Sequence, residues 1–473
     1  MKRGLTLLAA LIVGGAGFAG TATAEPARHL AWQPCPENAE VECGTITVPI
    51  DWARPAKGTI EVAVARRQAT DPAARKGTLV FMPGGPGGSG VDAILGGQEV
   101  PASVAAQYDL VSYDPRGTNR SNPVLCDAGL VSSMPNVVPD TGAKLADIKA
   151  YSKKLGDSCR AATGPLVDHV DNVSVARDID AFRAALGERE ITLYGRSYGT
   201  LAGQMYAENF PHRVRGLVLD SVFDHSLSPT QFLVTEARAG EDSFAEFAKW
   251  CVATADCALH GRDVGQVYSD LYEQASRGEL TDPSSGRAIT PIDLVGGTIN
   301  PLYGPSWAAL ADRLAALADR QPTAATRSVE AAVPFPLVAF CTDHRVEISS
   351  QQQWEAMWRK QKQAAPTLRA HFAWPAVSMC ANIGIKTPNP QHRTDLDDDV
   401  PPVLIMNALH DPATGYEWAT SVHRQLDDSA LLTYDGWGHG VADRTDCTEA
   451  VFTEYVLERT TPRPGTHCAA APE

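Results

Sequence analysis

Several features that would suit a nucleic-acid-binding or metal-binding protein are missing from this sequence of 473 residues. It has 41 basic against 56 acidic residues and a formal net charge of −15. This balance argues against nucleic acid or an anionic membrane as a partner, because both favour a basic surface. The ten cysteines include no C-x-x-C pair and no histidine-rich cluster accompanies them, so we expect neither a metal nor another cofactor. The sequence also lacks internal repeats and long low-complexity segments.

Long apolar runs are scarce as well. One candidate covers residues 5–19, between a basic start at residues 1–3 and a small-x-small sequence at residues 22–24. This order is typical of a secretory signal peptide, so residues 1–24 are predicted to be removed. The run is too short and too rich in glycine for a membrane span, and no cysteine beside the cleavage site could carry a lipid. We therefore expect a secreted protein, acting as a monomer, without a stable membrane anchor.

The cysteines agree with export. An even number of cysteines in an exported chain suggests disulfide bonds, although spacing alone does not prove their connectivity. Our hypothesis is that each cysteine bonds to its neighbour in the sequence. The pairs would be Cys35 with Cys43, Cys126 with Cys159, Cys251 with Cys257, Cys341 with Cys380, and Cys447 with Cys468.

Short apolar runs alternate with helical patterns in the first half of the chain. The predicted strands cover residues 45–49, 60–65, 78–82, 108–113, 191–194 and 214–220. Between them, Val175, Ile179 and Phe182 recur on one face of a predicted helix, which Asp171 or Asn172 could cap. Alternating strands and helices predict an α/β fold with a mostly parallel central sheet and helices on both faces.

The alternation stops after residue 222. Residues 223–395 look mainly helical, and strand-like runs return at residues 403–407 and 431–434. The sequence therefore predicts a core built from residues 25–222 and 396–473. It is interrupted by a helical cap, residues 223–395, that covers the site.

A serine between two glycines marks the point where a predicted strand becomes a helix. The sequence there is GRSYG, with Ser197 at its centre. A nucleophile on such a sharp turn sits in a strained backbone, and side chains two residues away on either side would collide, so glycine is favoured there. This is the G-x-S-x-G nucleophile elbow of α/β-hydrolases, although five residues alone would also fit a flexible loop.

An acid and a base should follow the serine in the chain order Ser, Asp, His. Asp411 comes directly after the strand at residues 403–407, and His439 lies in a glycine-flanked loop after the last predicted strand. Serine needs a base to take its proton, and a carboxylate holds the histidine in the required tautomer. We therefore predict Ser197, Asp411 and His439 as the catalytic triad.

Other residues could fill two of these roles. The rival acid is Asp435, and the rival bases are His344 and His410. Position after the appropriate strands favours Asp411 and His439 over them.

The tetrahedral intermediate of acyl transfer needs fixed donors for its oxyanion. The predicted donors are the backbone N–H groups of Tyr198, which follows the nucleophile, and of Gly85, in the loop after the strand at residues 78–82. Glycine lets this loop approach the substrate closely. No Gly-Lys-Ser/Thr ends the loop, and its glycines do not match G-x-G-x-x-G, so nucleotide binding is not expected.

Several separated motifs resemble one family. The sequence MPGGPGGSG resembles the PGGPGGSG loop of secreted bacterial tripeptidyl aminopeptidases, and is similar to the HGGPG loop of prolyl iminopeptidases. DPRGTNRS resembles the D-x-R-G-x-G-x-S of the same enzymes, with Asn119 in place of a glycine. Asn tolerates positive φ better than most residues, which would preserve the turn. VPIDWARP, VARDIDAFRAALG, GRSYGT and GWGHG also match, so the resemblance covers residues 32–468 but is vague through the cap.

The resemblance implies an α/β-hydrolase fold and a serine exopeptidase that removes tripeptides or other short N-terminal units from peptides with a free N-terminus. In such enzymes carboxylates of the cap hold the substrate amine. The acids that this sequence offers for that role are Asp343, Asp224 and Glu241.

Two other functions stay open. A carboxylesterase would use the same triad, because transfer of an acyl group to water is common to both reactions. The second alternative is a catalytically inactive binding protein with a hydrolase fold, against which the complete Ser, Asp and His set argues.

Overall fold

A computed structural model describes most of the chain. The described residues are 30–97, 100–282, 286–304, 306–319 and 332–471. The predicted signal peptide, residues 1–24, lies outside them. Among the helices within these ranges, none combines the length and the hydrophobicity that crossing a bilayer requires.

Ten of the described strands form one sheet. Its spatial order is β1-β2-β3-β5-β4-β7-β8-β10-β11-β12, and β6 pairs with β9 separately. The strands are β1 (Gln33–Pro34), β2 (Glu42–Pro49), β3 (Thr59–Arg67), β4 (Gly77–Met82), β5 (Tyr108–Tyr113), β6 (Leu125–Asp127), β7 (Ile191–Arg196), β8 (Val214–Asp220), β9 (Ala332–Pro334), β10 (Val403–His410), β11 (Ser429–Trp437) and β12 (His467–Cys468). The first pairs, up to β3 with β5, are antiparallel, and every following pair is parallel.

Fifteen α-helices accompany these strands in the described ranges. They are α1 (Gly90–Gly96), α2 (Ala102–Gln107), α3 (Ala128–Ser132), α4 (Leu145–Thr163), α5 (Asn172–Ala185), α6 (Gly199–Asn209), α7 (Pro229–Ala253), α8 (Val264–Ser276), α9 (Pro291–Ile299), α10 (Trp307–Asp319), α11 (Val338–Asp343), α12 (Gln351–Ala364), α13 (Trp374–Cys380), α14 (Tyr416–Gln425) and α15 (Asp446–Glu458). Asp171 caps α5 by accepting the Ser174 N–H, as the sequence predicts.

The sheet is covered on both faces. In β4, Leu79 and Phe81 belong to an apolar layer with α1, α2 and α15, whereas Val80 and Met82 belong to the opposite layer with α5 and α6. All six residues of β4 are therefore buried, which explains why it is a continuous apolar run rather than an alternating one. The predicted α/β fold, with a mostly parallel sheet and helices on both faces, is confirmed.

Between β8 and β10 the chain forms α7 to α13 and the short strand β9. These helices lie within the predicted cap, residues 223–395. Strand β9 pairs with β6, and α4 packs against α12 and α13. The segment from β6 to α4 therefore packs with the helices between β8 and β10, although it precedes the elbow in the sequence. The segment inserted between β8 and β10 is thus connected to the sheet at both of its ends and also packs against an earlier part of the chain.

The ten cysteines form five disulfides in the structure. Each joins neighbours in the sequence: Cys35–Cys43, Cys126–Cys159, Cys251–Cys257, Cys341–Cys380 and Cys447–Cys468. Cys341–Cys380 links α11, which contacts Tyr198 of the elbow, to the end of α13.

A buried ion pair joins α5 to the loop after β5. Arg116 donates from Nε and Nη2 to the two oxygens of Asp178, both at 2.6 Å, and both side chains are almost fully buried. Its remaining N–H groups reach the carbonyl oxygens of Pro49, Ile50 and His169. The arginine of the DPRG sequence therefore has a structural role, because it joins the end of β2, the loop after β5 and the middle of α5.

We expect Asp178→Asn to lower the free energy of unfolding by about 3–5 kcal/mol, because it leaves the Arg116 guanidinium buried without its counter-charge. Asp180→Asn, on the same helix, is the matched control. Asp180 pairs with the largely buried Arg183 but is itself 23% exposed to solvent, so its loss should cost clearly less than the loss of Asp178, about 1 kcal/mol. Urea unfolding with the disulfides intact measures both, and equal effects of the two substitutions would contradict the structural role of Arg116.

Candidate active site

Ser197 occupies the turn between β7 and α6. Its φ is +60°, in the left-handed region that residues other than glycine seldom adopt. A Cβ at Gly195 would lie 2.7 Å from the Gly199 carbonyl oxygen, and one at Gly199 would lie 2.1 Å from that of Met82. Only glycine fits at either position, which accounts for the sequence pattern. The Ser197 N–H donates to the Asp220 carbonyl at 2.9 Å, which fixes the turn to β8.

Asp411 and His439 form a hydrogen-bonded pair at the carboxyl ends of β10 and β11. The Nδ1 of His439 lies 2.9 and 3.0 Å from the two oxygens of Asp411. Asp411 also accepts the N–H groups of Ala413 and Thr414, and the Thr414 hydroxyl. Burial alone would raise the pKa of Asp411, but the charge and hydrogen bond of His439 outweigh it, so the pKa lies below its usual range. This carboxylate stays ionised and can hold the imidazole with Nδ1 as donor.

The loop that carries His439 is attached to the same residue as the serine turn. The Asp220 side chain is fully buried and accepts the N–H groups of Val441 and Ala442 at 2.8 and 3.2 Å. Its own carbonyl accepts the Ser197 N–H. Asp220 therefore brings the elbow and the histidine loop to the same edge of the sheet.

The glycine-rich loop after β4 lies against the serine. A Cβ at Gly84 would be 2.9 Å from the Cβ of Ser197 and 3.3 Å from its Oγ. Gly85, the next residue, has a φ of +120°. In the part of the chain that the structure describes, the backbone N–H groups of Gly85 and Tyr198 donate to no other protein group. Both predicted oxyanion donors are thus available for a ligand.

The DPRGTNRS segment supports this loop. Asp114 accepts the Ser89 hydroxyl at 2.6 Å and the Val91 N–H at 3.2 Å. Asn119 has a φ of +42°, and its side-chain amide donates to the Gly87 carbonyl at 3.0 Å. Asn119 therefore adopts the positive φ expected of it and adds a hydrogen bond that the glycine of the family motif could not make.

The rival residues have other partners. Asp435 lies on the surface and bonds to His467 at 2.6 Å, and His410 bonds to Asp242 at 2.7 Å. His344 is buried, directs Nδ1 to the Phe340 carbonyl and stacks on the Phe340 ring. The geometry therefore favours Asp411 and His439 over all three.

Of the cap acids named from the sequence, Asp343 and Glu241 have both oxygens bonded to protein donors, whereas one oxygen of Asp224 is buried without a hydrogen-bond partner among the described residues. Asp343 is fully buried and accepts four hydrogen bonds. Burial and the neighbouring Asp171 carboxylate raise its pKa to about 7, although these hydrogen bonds lower it. One oxygen of Asp224 accepts two bonds from Ser226, and Glu241 accepts successive backbone N–H groups at residues 367 and 368. The structure does not bring Asp224 or Glu241 into contact with the Asp411–His439 pair.

A different cap acid, Glu236 of α7, lies beside that pair. It is 6% exposed, and its Oε2 lies 2.6 Å from Nδ1 of His371, with which it forms an ion pair when that ring is protonated. Burial raises the pKa of Glu236, with a further rise from Asp411, whereas His371 and His439 lower it. Glu236 is thus a buried carboxylate that lies within electrostatic reach of the pair and has a histidine as its neighbour.

Sequence reasoning missed Glu236, although a signal was present. The residues Phe232, Leu233, Ala237 and Gly240 are buried and lie on the same face of α7 as Glu236. An acid on the apolar face of an amphipathic helix calls for a partner or a ligand, because burying an uncompensated charge is unfavourable.

Tyr303 brings a second part of the cap to the histidine. Its carbonyl accepts the His439 N–H at 2.8 Å, and the two ring centroids are 4.7 Å apart. The cap therefore forms one wall of the site. Within the described ranges, no group of three or more His, Cys, Asp or Glu side chains is arranged to hold a metal ion.

The strand–serine–helix turn, the acid and histidine on later strands and the interrupted parallel sheet define an α/β-hydrolase. Residues 365–468 match the family described as TAP-like protein. The chain is 31% identical to serine protease Hip1 of Mycobacterium tuberculosis, over 94% of this chain and 92% of that protein. It is 30% identical to a tripeptidyl aminopeptidase of Streptomyces lividans, over 95% and 89% of the two chains.

A carboxylesterase B of Mycobacterium tuberculosis is also similar, at 28% identity over 93% of this chain and 90% of that protein. The chain belongs to this family of TAP-like α/β-hydrolases and is a serine hydrolase. The resemblance to tripeptidyl aminopeptidases that the motifs indicated is confirmed.

Buried histidines lie behind the elbow. His225 is 1% exposed, its Nε2 donates to the Asp343 carbonyl at 2.8 Å, and its ring centroid lies 5.3 Å from that of His344. Burial lowers the pKa of His225 to about 4, and that of His344 well below its usual value. Both rings are therefore neutral in the folded protein at neutral pH.

These histidines should make the fold sensitive to acid. The pKa of His225 is lower in the folded than in the unfolded chain, so the unfolded state binds more protons between pH 6.5 and about 4. The free energy of unfolding therefore decreases as the pH is lowered through that window. For His225 alone the loss approaches about 3 kcal/mol. We expect His225→Gln, which keeps a donor for the Asp343 carbonyl, to reduce the difference in urea unfolding between pH 7 and pH 4.5. His212→Gln, at an exposed position, is the control, and an unchanged pH dependence in His225→Gln would contradict the assignment.

Proposed function

We propose that this protein is an exported serine aminopeptidase that removes tripeptides, or similarly short units, from the N-terminus of peptides. The observation that carries the proposal is the hydrogen-bonded Asp411–His439 pair, which Asp220 holds at the same sheet edge as the strained Ser197 turn. Similarity to a protein named tripeptidyl aminopeptidase supports the choice of substrate.

In the proposed reaction Ser197 attacks the scissile carbonyl while His439 takes its proton. His439 then gives this proton to the leaving amine, and water hydrolyses the acyl-enzyme by the same steps. Asp411 keeps Nδ1 of the imidazole protonated and stabilises the imidazolium. The free N–H groups of Tyr198 and Gly85 donate hydrogen bonds to the carbonyl oxygen and stabilise the negative charge that develops on it.

Glu236 supports the aminopeptidase assignment. A substrate that enters from its N-terminus carries an ammonium group, which a buried carboxylate can bind strongly. Glu236 lies within electrostatic reach of Asp411 and His439, and its neighbour His371 is 2.6 Å from Oε2. We therefore assign the substrate amine to Glu236 rather than to Asp224, for which the structure shows no contact with the Asp411–His439 pair, or to Glu241, whose carboxylate accepts two backbone N–H groups.

Export is part of the proposal. Five disulfides suit a protein that folds in an oxidising compartment, because thiols remain reduced in the cytosol. The signal-peptide pattern of residues 1–24 supplies the route.

The triad can be tested with two acids from neighbouring strands, Asp411 just after β10 and Asp435 within β11. We expect Ser197→Ala to lower kcat by roughly 10⁴–10⁶-fold and Asp411→Asn by roughly 10⁴-fold, because the second change leaves His439 in the wrong tautomer. Asp435→Asn should leave kcat unchanged, because Asp435 bonds to His467 on the surface. Release of product from a chromogenic tripeptide amide measures all three. Full activity of Ser197→Ala would refute the mechanism.

The amine site is tested with one peptide in two forms, free and N-acetylated, and products read by mass spectrometry. We expect loss of tripeptides from the free form only. Glu236→Gln should lower kcat/KM for the free peptide about 100-fold, because the ammonium group loses its counter-charge, and should change hydrolysis of p-nitrophenyl acetate by less than about 3-fold.

Glu246→Gln is the matched control, since Glu246 lies on the same helix but pairs with Lys249 on the surface. Equal cleavage of the free and acetylated peptides would rule out amine recognition. Hydrolysis of simple esters without cleavage of either peptide would identify a carboxylesterase instead.

A further inference from the structure

Asp343 lies at the end of α11, where the cap meets the nucleophile elbow. One oxygen accepts the Asn172 backbone N–H at 2.9 Å and the Asn389 side-chain amide at 2.7 Å. The other accepts the Asn172 side-chain amide at 2.6 Å and the Tyr198 hydroxyl at 2.7 Å. All four donors are neutral, so the charge of this fully buried carboxylate is stabilised by a shell of oriented dipoles.

One of these donors belongs to the residue after the nucleophile. The Tyr198 ring packs edge-on against Phe223, with centroids 5.4 Å apart, and its hydroxyl donates a hydrogen bond to Asp343. Burial raises the pKa of the Tyr198 phenol, which therefore remains a donor. Because this side chain is held along its whole length, its anchor also restrains the backbone N–H that points to the substrate.

The same cap segment also contacts the other oxyanion loop. Pro336 lies so close to Gly87 that a Cβ on Gly87 would be 2.5 Å from the Cβ of Pro336. The Ala339 carbonyl lies 3.4 Å from the Tyr198 hydroxyl. A short stretch of the cap, from Pro336 to Asp343, therefore touches both loops that carry the predicted oxyanion donors.

We propose that Asp343 is a positioning residue for the oxyanion hole, which fixes the Tyr198 backbone N–H through the Tyr198 hydroxyl and so couples the cap to acyl transfer. The inference rests on the proposed role of Ser197 as nucleophile, but not on the peptide specificity of the enzyme. It gives Asp343 a different task from binding the substrate amine.

The two tasks have different kinetic consequences. An amine-binding carboxylate contributes only to substrates with a free N-terminus, and its loss raises KM. A residue that positions an oxyanion donor acts on every acyl substrate, and its loss lowers kcat, because the interaction is made in the transition state.

Asp343→Asn tests the proposal because it keeps the shape of the side chain while it turns one oxygen into an N–H₂ group facing two donors. We expect kcat to fall about 10- to 100-fold for both a tripeptide amide and p-nitrophenyl acetate, with KM changed less than about 3-fold. Tyr198→Phe removes the hydroxyl alone and should lower kcat for both substrates in the same way but less. In the double variant kcat should be no lower than in Asp343→Asn, because both substitutions disrupt the same hydrogen bond between the Tyr198 hydroxyl and Asp343.

Asp109→Asn is the matched control for loss of a buried carboxylate. Asp109 is 8% exposed, accepts the Ala69 N–H and pairs with Arg75, in the amino-terminal half of β5. It should alter thermal stability and leave kcat unchanged for both substrates. Circular dichroism and thermal unfolding establish whether each variant is folded. If Asp343→Asn does not fold, the kcat of Tyr198→Phe for both substrates tests the proposal instead.

Three results would overturn the proposal: unchanged kcat in Tyr198→Phe for both substrates, additive losses in the double variant, or a rise in KM confined to the free peptide. The last would move Asp343 to the amine site. If the wild type cleaves esters but no peptide, the aminopeptidase assignment fails while the ester measurements still test Asp343. If Ser197→Ala keeps full activity, the proposed function and this inference fail together.

Discussion

The buried carboxylate of Asp220 brings the turn at Ser197 and the loop of His439, the proposed nucleophile and base, to the same edge of the sheet. It lies at the end of β8, next to β7, which carries Ser197, and to β10, which carries the acid. Its backbone carbonyl accepts the Ser197 N–H, while its side chain accepts the Val441 and Ala442 N–H groups just after His439. A charge buried this deeply requires its donors, so the histidine loop is strongly favoured in this one position. The relative placement of the two loops is therefore a property of the sheet and does not depend on contact between the catalytic side chains.

The predicted cap contacts the proposed catalytic groups at three points. Tyr303 packs on His439, Pro336 lies against Gly87, and Asp343 holds the residue after the nucleophile. Each contact reaches a different component of the proposed reaction, namely the base and the two oxyanion loops. The inserted segment is thus in direct contact with groups that the core supplies to the proposed reaction.

The core and the elbow could be predicted from the sequence because they depend on local rules. Strands buried on both faces are continuous apolar runs, and the turn at Ser197 excludes side chains at Gly195 and Gly199 whatever the rest of the chain does. The short strands β6 and β9 could not be predicted, since three residues carry no periodic pattern and their pairing joins distant segments. The partners of Asp343 are equally non-local, because Asn172 and Tyr198 lie 171 and 145 positions away.

The same limitation explains why sequence alone could not separate the acids of the cap. Glu236 and Asp343 are both buried, and burial raises the pKa of each. The two acids differ in the partners of their carboxylate oxygens. Both oxygens of Asp343 are filled by neutral protein donors, whereas the neighbour of Oε2 of Glu236 is His371, at 2.6 Å. A substrate amine would have to displace a donor from Asp343, but it could share the Glu236 carboxylate with His371. This difference supports our proposal that Glu236 binds the amine and that Asp343 belongs to the framework of the site.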